Sequence, residues 1–288
     1  MEYCVAHTVE DALALLHSRS TPKLIAGGTD LAVILADYLI APATLVDIAS
    51  IQSMVGVRVA AQGVSIGAAT RVASIAAHGT LPACLVQGAR AIGSPQIRNL
   101  ATIGGNICNA SPCGDTLAPL IALDAVFVLA SGSGTRDVRA EDFFLGPKKT
   151  VIRPDELLVE IRIDAKHMAG TSAFRMIGKR NGQAISQVNA AAWISIQKGV
   201  VGDARLAIGS VAPIPLRLRK TEALLTGRPA AAIDMKKVLA AADAEIAPIS
   251  DVRASVEYRR LVSASLLREC LEEALAAADG AARQGGQG

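Results

Sequence analysis

The residues of this chain with chemical potential are two glycine pairs set among small polar side chains. The first, Gly27-Gly28-Thr29-Asp30, is reached through the short apolar segment Lys23-Leu24-Ile25-Ala26 and leads into Leu31. The second, Ile103-Gly104-Gly105-Asn106, follows Ala101-Thr102 and leads across the turn Ala110-Ser111-Pro112-Cys113-Gly114 to Asp115. Adjacent glycines permit φ > 0 and remove the Cβ shield, so that peptide N–H groups can approach a ligand. Thr102, Asn106, Ser111 and Asp115 are small polar groups able to fix a ligand's orientation. A bound phosphate or ribose needs such a set, and an ordinary loop between two buried segments uses the same residues. The first pair adds a strand before it and a helix start after it. Free N–H groups and the positive end of a helix dipole would then face an anion. The plainer reading is that Thr29 or Asp30 caps the helix while the glycines make the turn. Neither stretch is a Walker loop or a G-x-G-x-x-G.

No other residue set suggests chemistry of its own. The four histidines (His7, His17, His78, His167) are dispersed, with none at i,i+4 spacing or beside a cysteine cluster. Cys108 and Cys113 stand apart across a proline turn, with no second cysteine pair to complete a zinc or iron–sulfur site. Asp142, Asp155, Glu156 and Glu160 read as helix-start and strand-face acids. With no nucleophile, metal site or acid–base pair evident, any reaction must be carried by a bound cofactor.

Composition narrows the class further. The 288 residues are 51% hydrophobic but only 3% aromatic, so the core must be built from Ala, Val, Leu and Ile, and a base-stacking surface is not expected. The net charge of +3 is dispersed, which implies neither nucleic acid nor a membrane surface as partner. No apolar run reaches the roughly 18 residues of a membrane helix, and the N-terminus does not read as a signal peptide. Five cysteines, odd in number and without C-x-x-C, read as thiols of a reducing compartment. The expectation is a cytoplasmic protein.

The elements that must position the two glycine pairs follow from pattern. Thr8 caps a helix with Ala12, Leu15 and Leu16 on one face. A strand at Lys23–Ala26, a helix from Leu31 to Leu39 and a strand at Thr44–Ile48 form a β-α-β unit. Val55–Val59 and Gly63–Gly67 read as paired strands, Thr70 as the cap of a helix through Ala77, and Leu81–Ile92 as a further helix. After the second glycine pair come the apolar run Leu117–Leu123, a strand at Ala125–Ala130, a helical turn at Glu141–Pro147 and a strand at Leu157–Ile163. From about Lys166 the texture changes. Strands at Ser172–Ile177, Val188–Ile196 and Ala204–Ile208 are followed by helical patterns at Leu216–Leu225, Ala230–Ala242 and Ser255–Ala277. Two glycine turns far apart on one domain suggest one extended ligand held at two points, as a dinucleotide would be.

L-I-A-G-G-T-D-L, then N-L-A-T-I-G-G-N-I-C-N-A-S-P-C-G-D with A-L-D-A behind it, then S-A-F-R-M-I-G-K-R occur in that order. In this the chain resembles the FAD-binding medium subunit of molybdenum hydroxylases, the family of xanthine dehydrogenase, aerobic carbon monoxide dehydrogenase and nicotine dehydrogenase. The resemblance covers nearly the whole chain. It implies an α+β protein, with a two-lobed FAD-binding domain of the vanillyl-alcohol-oxidase/MurB type over 1–165 (lobes about 1–54 and 55–165). A C-terminal domain of antiparallel sheet plus helices would occupy 166–280, and 281–288 would be a flexible tail. Lys23 to Leu31 would hold the FAD pyrophosphate on backbone N–H groups. Ala101, Thr102, Ile103, Gly104, Gly105 and Asn106 would bracket the diphosphate and flavin side chain, and Asp115 would bind a ribityl or ribose hydroxyl. Leu158 would pack against the isoalloxazine, Ile92 stands where several relatives place an aromatic ring, and Arg175 or Lys179 would lie near the flavin edge.

By the same resemblance this chain would be an electron relay. A large partner subunit would carry molybdopterin and a small one two [2Fe-2S] clusters, assembled as a dimer of heterotrimers. FAD here would pass electrons to an external acceptor. The alternatives are a standalone FAD-dependent oxidoreductase of the same superfold, which would need an acid–base residue at the flavin, and a non-catalytic scaffold subunit.

Overall fold

The computed structural model describes residues 1–285, with side chains to Ala278. The first lobe is a parallel sheet in the order β1-β3-β2, from Glu2–Val5 (β1), Thr44–Asp47 (β3) and Pro22–Ile25 (β2). Helix α1 (Val9–Ser18) connects β1 to β2, and α2 (Leu31–Ala36) makes the crossover to β3. At α1 the start signal is complete. The Thr8 hydroxyl accepts from Asp11 N at 3.0 Å, and the Asp11 carboxylate accepts from Thr8 N at 3.1 Å. Of the expected apolar face, Ala12 is fully buried, while Leu15 and Leu16 are partly covered.

The second lobe is an antiparallel sheet in the order β4-β5-β10-β6-β7. Its strands are Val57–Ala60 (β4), Gly63–Gly67 (β5), Val126–Ser131 (β6), Gly134–Arg139 (β7) and Leu157–Asp164 (β10). A small ribbon, Phe144–Gly146 (β8) with Lys149–Thr150 (β9), lies between β7 and β10. Five helices fill the stretch between β5 and β6: Val72–Ala76 (α3), Ala83–Ala91 (α4), Pro95–Leu100 (α5), Ile103–Asn109 (α6) and Leu117–Ala122 (α7). Thr70 does not cap α3. Arg71 holds the N-cap position, and the Thr70 hydroxyl instead exchanges hydrogen bonds with the Gly56 main chain. That cross-link between two loops outcompetes a local cap.

The last portion opens with a short helix, Ala165–Met168 (α8). It continues as the antiparallel sheet β11-β12-β13-β14, from Thr171–Ile177, Val188–Gln197, Val200–Gly209 and Leu216–Arg217. Helices α9 (Arg219–Glu222), α10 (Met235–Glu245) and α11 (Val256–Gly285) follow. The helix expected over Leu216–Leu225 is thus a two-residue strand and a short helix, because Arg217 and Leu216 pair with β13. Of the tail expected from 281, residues 281–285 continue α11, and 286–288 lie outside the described residues.

Strand β12 reads as an unbroken buried run because both its faces are covered. Ala191 and Trp193 join the core of the two lobes, whereas Ala190, Ala192 and Ile194 pack with α10 and α11. The junction carries charge as well. Asp124, with φ +49, lies 3.4 Å from Arg205 and 3.9 Å from Arg217 of the C-terminal sheet, and accepts from Arg139 at 2.6 Å. This α+β arrangement, two lobes followed by an antiparallel sheet with helices, is the architecture anticipated from the sequence.

Candidate functional site

The two glycine pairs are far apart in the chain, on different lobes, and the fold brings the first against the segment that leads into the second. A Cβ on Gly27 would lie 2.0 Å from Leu100 O and 2.9 Å from Ala101 Cα, so only hydrogen fits where the first loop crosses the approach to the second. The contact continues at Asp30. Its carboxylate accepts from Asn109 Nδ2 at 3.1 Å and lies 3.6 Å from Lys148 Nζ, while Lys148 also donates to Asn109 Oδ1. Asp30 therefore holds the N-cap position of α2 without capping it, and the plain capping reading fails for both Thr29 and Asp30. Asn109 and Lys148 were not singled out from the sequence. Lys148, at φ +60 in a tight turn, carries no local signal of contact with residue 30.

The first loop has the makings of an anion cradle. Gly28 sits at φ +68, where only glycine is unstrained, and Ala26 to Thr29 are partly open to solvent. The N–H groups of Gly27, Gly28, Thr29 and Asp30 find no acceptor among the described residues. Four adjacent unpaired donors at the start of α2 are what a pyrophosphate satisfies. Leu24 and Ile25 belong to β2, Leu31 opens α2, and Lys23 is exposed.

The second glycine pair works differently from the expected turn. Ile103 to Asn109 is helical, Thr102 is its N-cap, and neither glycine has positive φ. Its donors are already used. Ile103 N bonds to Thr70 O at 3.0 Å, Gly104 N to Ala68 O at 2.8 Å, and Gly105 N to the Thr102 hydroxyl at 3.1 Å. Gly104 is glycine because a Cβ there would meet Ala68 O at 2.7 Å. The pair thus seats α6 against the β5 end, with Gly105 exposed. Thr102 is buried as a cap, Asn106 Oδ1 accepts from the Thr116 hydroxyl at 2.6 Å, and the Ser111 hydroxyl accepts from Cys113 N.

Asp115 is buried, and its Oδ1 accepts from Ser186 Oγ at 2.5 Å and Asn189 Nδ2 at 3.1 Å. Burial pushes this carboxyl up to about 6, against the pull of those two hydrogen bonds. Ile92 ends α4, its carbonyl accepting from Arg98 at 2.9 Å. Leu158 is buried on β10, beside the bulge at Val159. Arg175 and Lys179 bond within the C-terminal domain. The Arg175 guanidinium pairs with Glu273 and lies 3.7 Å from Glu269 of α11, and Lys179 Nζ donates to Val252 O at 2.8 Å. Both cations are therefore tied to the C-terminal domain, where long side chains fold back onto the nearest acceptors. Cys108 is exposed and Cys113 half-buried. A cleft of about 890 Å³ lies elsewhere, between α1, the β6–β7 turn and β10, and none of its lining residues belongs to either glycine motif.

A cradle of main-chain donors on a β-α-β lobe, met by the Leu100–Ala101 segment of a second lobe, suits an extended phosphate-bearing cofactor. Comparison with known proteins decides which. Residues 1–165 match the family model described as the FAD binding domain in molybdopterin dehydrogenase. The chain belongs to this family. Residues 172–274 match the CO dehydrogenase flavoprotein C-terminal domain. The chain is 32% identical over 268 residues to the nicotinate dehydrogenase FAD-subunit of Eubacterium barkeri, covering 90% of each. It is 33% identical over 283 residues to the carbon monoxide dehydrogenase medium chain of Hydrogenophaga pseudoflava, covering 96% of this chain and 97% of the relative. A chain of the reconstituted CO dehydrogenase from Oligotropha carboxidovorans superposes with a TM-score of 0.90 at 31% identity, over 96% of this chain and 98% of that one. This FAD-binding medium subunit of the molybdenum hydroxylase family is an oxidoreductase component, and FAD is its cofactor. Among the described residues no helix is long and apolar enough to cross a membrane.

Proposed function

We propose that this chain is the electron-relay subunit of a heteromeric molybdenum hydroxylase. The loop from Gly27 to Asp30 would hold FAD, which would supply electron transfer between the [2Fe-2S] clusters of a small partner subunit and an external acceptor. A large partner subunit holds molybdopterin and oxidises the substrate, in a dimer of heterotrimers located in the cytoplasm. The observation that carries this reading is the cradle of unpaired N–H groups at Gly27 to Asp30, closed by the Leu100–Ala101 segment of the other lobe. Full-length similarity to medium chains and FAD-subunits supports the rest.

Within the site, Gly27, Gly28, Thr29 and Asp30 would hold the FAD diphosphate on main-chain donors. Asp115 would accept from a sugar or ribityl hydroxyl, and Leu158 and Ile92 would supply apolar surface to the ring. Flavin suits the task because it exchanges electrons singly or in pairs. The protein's work is to bind, orient and insulate. Similarity over nearly the full length to medium chains and FAD-subunits favours a relay over a standalone flavin enzyme acting directly on substrate.

Purification of the complex from its native host, with absorbance spectrum, metal analysis and subunit sizing, tests the proposal. Flavin bands over an iron–sulfur envelope, with molybdenum and two further polypeptides, are the expected result. A yellow chain that purifies alone and turns over a substrate would replace the relay by a standalone flavoenzyme. An assembled complex in which this chain holds no flavin would make it a scaffold.

A further inference from the structure

We infer that Ser186 and Asn189 of the C-terminal domain are positioning residues for FAD, holding the Asp115 carboxylate of the first domain toward a cofactor hydroxyl. The inference rests on the FAD reading above. It means that the cofactor site of the first domain is completed only when the second is docked.

The geometry is one-sided. Both donors to Asp115 address the same oxygen, Oδ1, and Oδ2 accepts from no group among the described residues. The residue is only 6% exposed, yet Oδ2 is not among the sealed polar atoms that lack a partner, so it keeps an opening through which a cofactor hydroxyl can reach it. The two donors are themselves fully buried and fixed from several directions. Ser186 O accepts from Ser210 Oγ at 3.1 Å, and Ser210 N donates to Pro112 O of the first domain at 2.9 Å. Arg259 of α11, itself buried, donates to the carbonyls of Gln187 and Ser210. Asn189 occupies a slot made by Gly209, where a Cβ would lie 2.4 Å from Asn189 Oδ1 and 3.0 Å from Pro112 O. Asn189 Oδ1 has no partner among the described residues, so its amide gives up one hydrogen bond while donating to Asp115. A carboxylate needed only for packing would be better replaced by an apolar group than buried with this retinue.

The groups facing Asp115 are few. Ser186 and Asn189 come from the second domain, and Gly88 of α4 packs against its carbonyl. Arg259 reaches main-chain oxygens of the same shell, and its charge is paired with the Asp251 carboxylate at 2.8 Å. The ionisation of Asp115 is therefore governed chiefly by burial and by the two donors.

The test titrates the full apo chain with FAD, by flavin fluorescence and polarisation, from roughly pH 4 to pH 8, about two units either side of the raised Asp115 value of about 6. Ser186→Ala is expected to weaken FAD binding roughly tenfold or more, the usual effect of losing a hydrogen bond to a charged group. The pH at which affinity changes should move upward, because the charged form has lost a donor, and in Asp115→Asn that inflection should vanish. In an Asp115→Ala background, Ser186→Ala should add nothing. If Ser186→Ala does not fold, Ser186→Cys keeps the volume with a weak donor and takes its place. Wild-type affinity and pH profile in a folded variant would overturn the inference, as would a full additive loss in the Asp115→Ala background. A wild-type chain that takes up no FAD would overturn the flavin reading itself, and this inference with it.

Discussion

The buried Asp115 carboxylate makes a prediction that separates function from stability. Its ordinary value of 3.8 is raised to about 6 by burial in the folded apo chain. Between those values the folded chain binds a proton that the unfolded chain has released. Stability from the neutral form is therefore fully present below 3.8, falls as pH rises through the window, and levels off above about 6. A shift of about two units corresponds to about 3 kcal/mol at neutral pH. Asp115→Asn keeps an oxygen for Ser186 and Asn189 and removes the charge. At roughly pH 7.5, well above the raised value, the apo variant is expected to be more stable than wild type by up to about 3 kcal/mol. In a chain of this size that corresponds to roughly 5–10 °C in Tm. The advantage should shrink on acidification and disappear near the ordinary carboxyl value. FAD affinity should move the other way, because a neutral amide is a weaker acceptor for a hydroxyl than a carboxylate. Urea or thermal unfolding of the two apo chains across the window gives the difference directly, and the shared titration of other acids cancels. A difference that is independent of pH, or an Asn variant less stable at neutral pH, would refute the reasoning.

Two further outcomes test how the site is assembled. Gly27→Ala places a Cβ 2.0 Å from Leu100 O, which forces the two loops apart by about 1 Å to reach the shortest tolerated contact; at ~1–3 kcal/mol for such overpacking, the apo Tm and FAD affinity should both fall. Gly79→Ala, with nothing within 4 Å, serves as the neutral control. Asp124→Asn should weaken the domain junction, because Arg217, Arg205 and Arg139 then face a neutral group. His167 and the neighbouring arginines hold the Asp124 carboxyl below its ordinary value of 3.8. Its contribution is therefore present above that value and lost as pH falls below it. The wild-type advantage over Asp124→Asn in denaturant unfolding should shrink on acidification.

The sequence by itself determined the local elements and the order of the motifs. Thr8 with Asp11 encoded the first helix start, alternation and glycine encoded the β4–β5 pair, and the change of texture near Lys166 marked the second sheet. The strand end, glycine turn and helix start around the first glycine pair were legible because their signals are local, within a few residues. The second pair misled on geometry for the same reason. Gly-Gly-Asn reads locally as a turn, and only its packing against Ala68 makes a helix start the better use of those donors. Thr70 and Leu216 changed roles likewise, through partners distant in the chain.

What only the tertiary structure decided is which groups meet. The contact of Gly27 with Leu100, the bridge from Asp30 to Asn109 and Lys148, and the hold of Ser186 and Asn189 on Asp115 all join residues many positions apart. So does the commitment of Arg175 and Lys179 to α11 and the loop before it. Hydrogen bonds and close contacts act over a few ångströms, and a single sequence specifies which residues are polar or small without specifying their neighbours. Cofactor-binding character could thus be read from residue type and local spacing. The way the two domains close the site was set by packing.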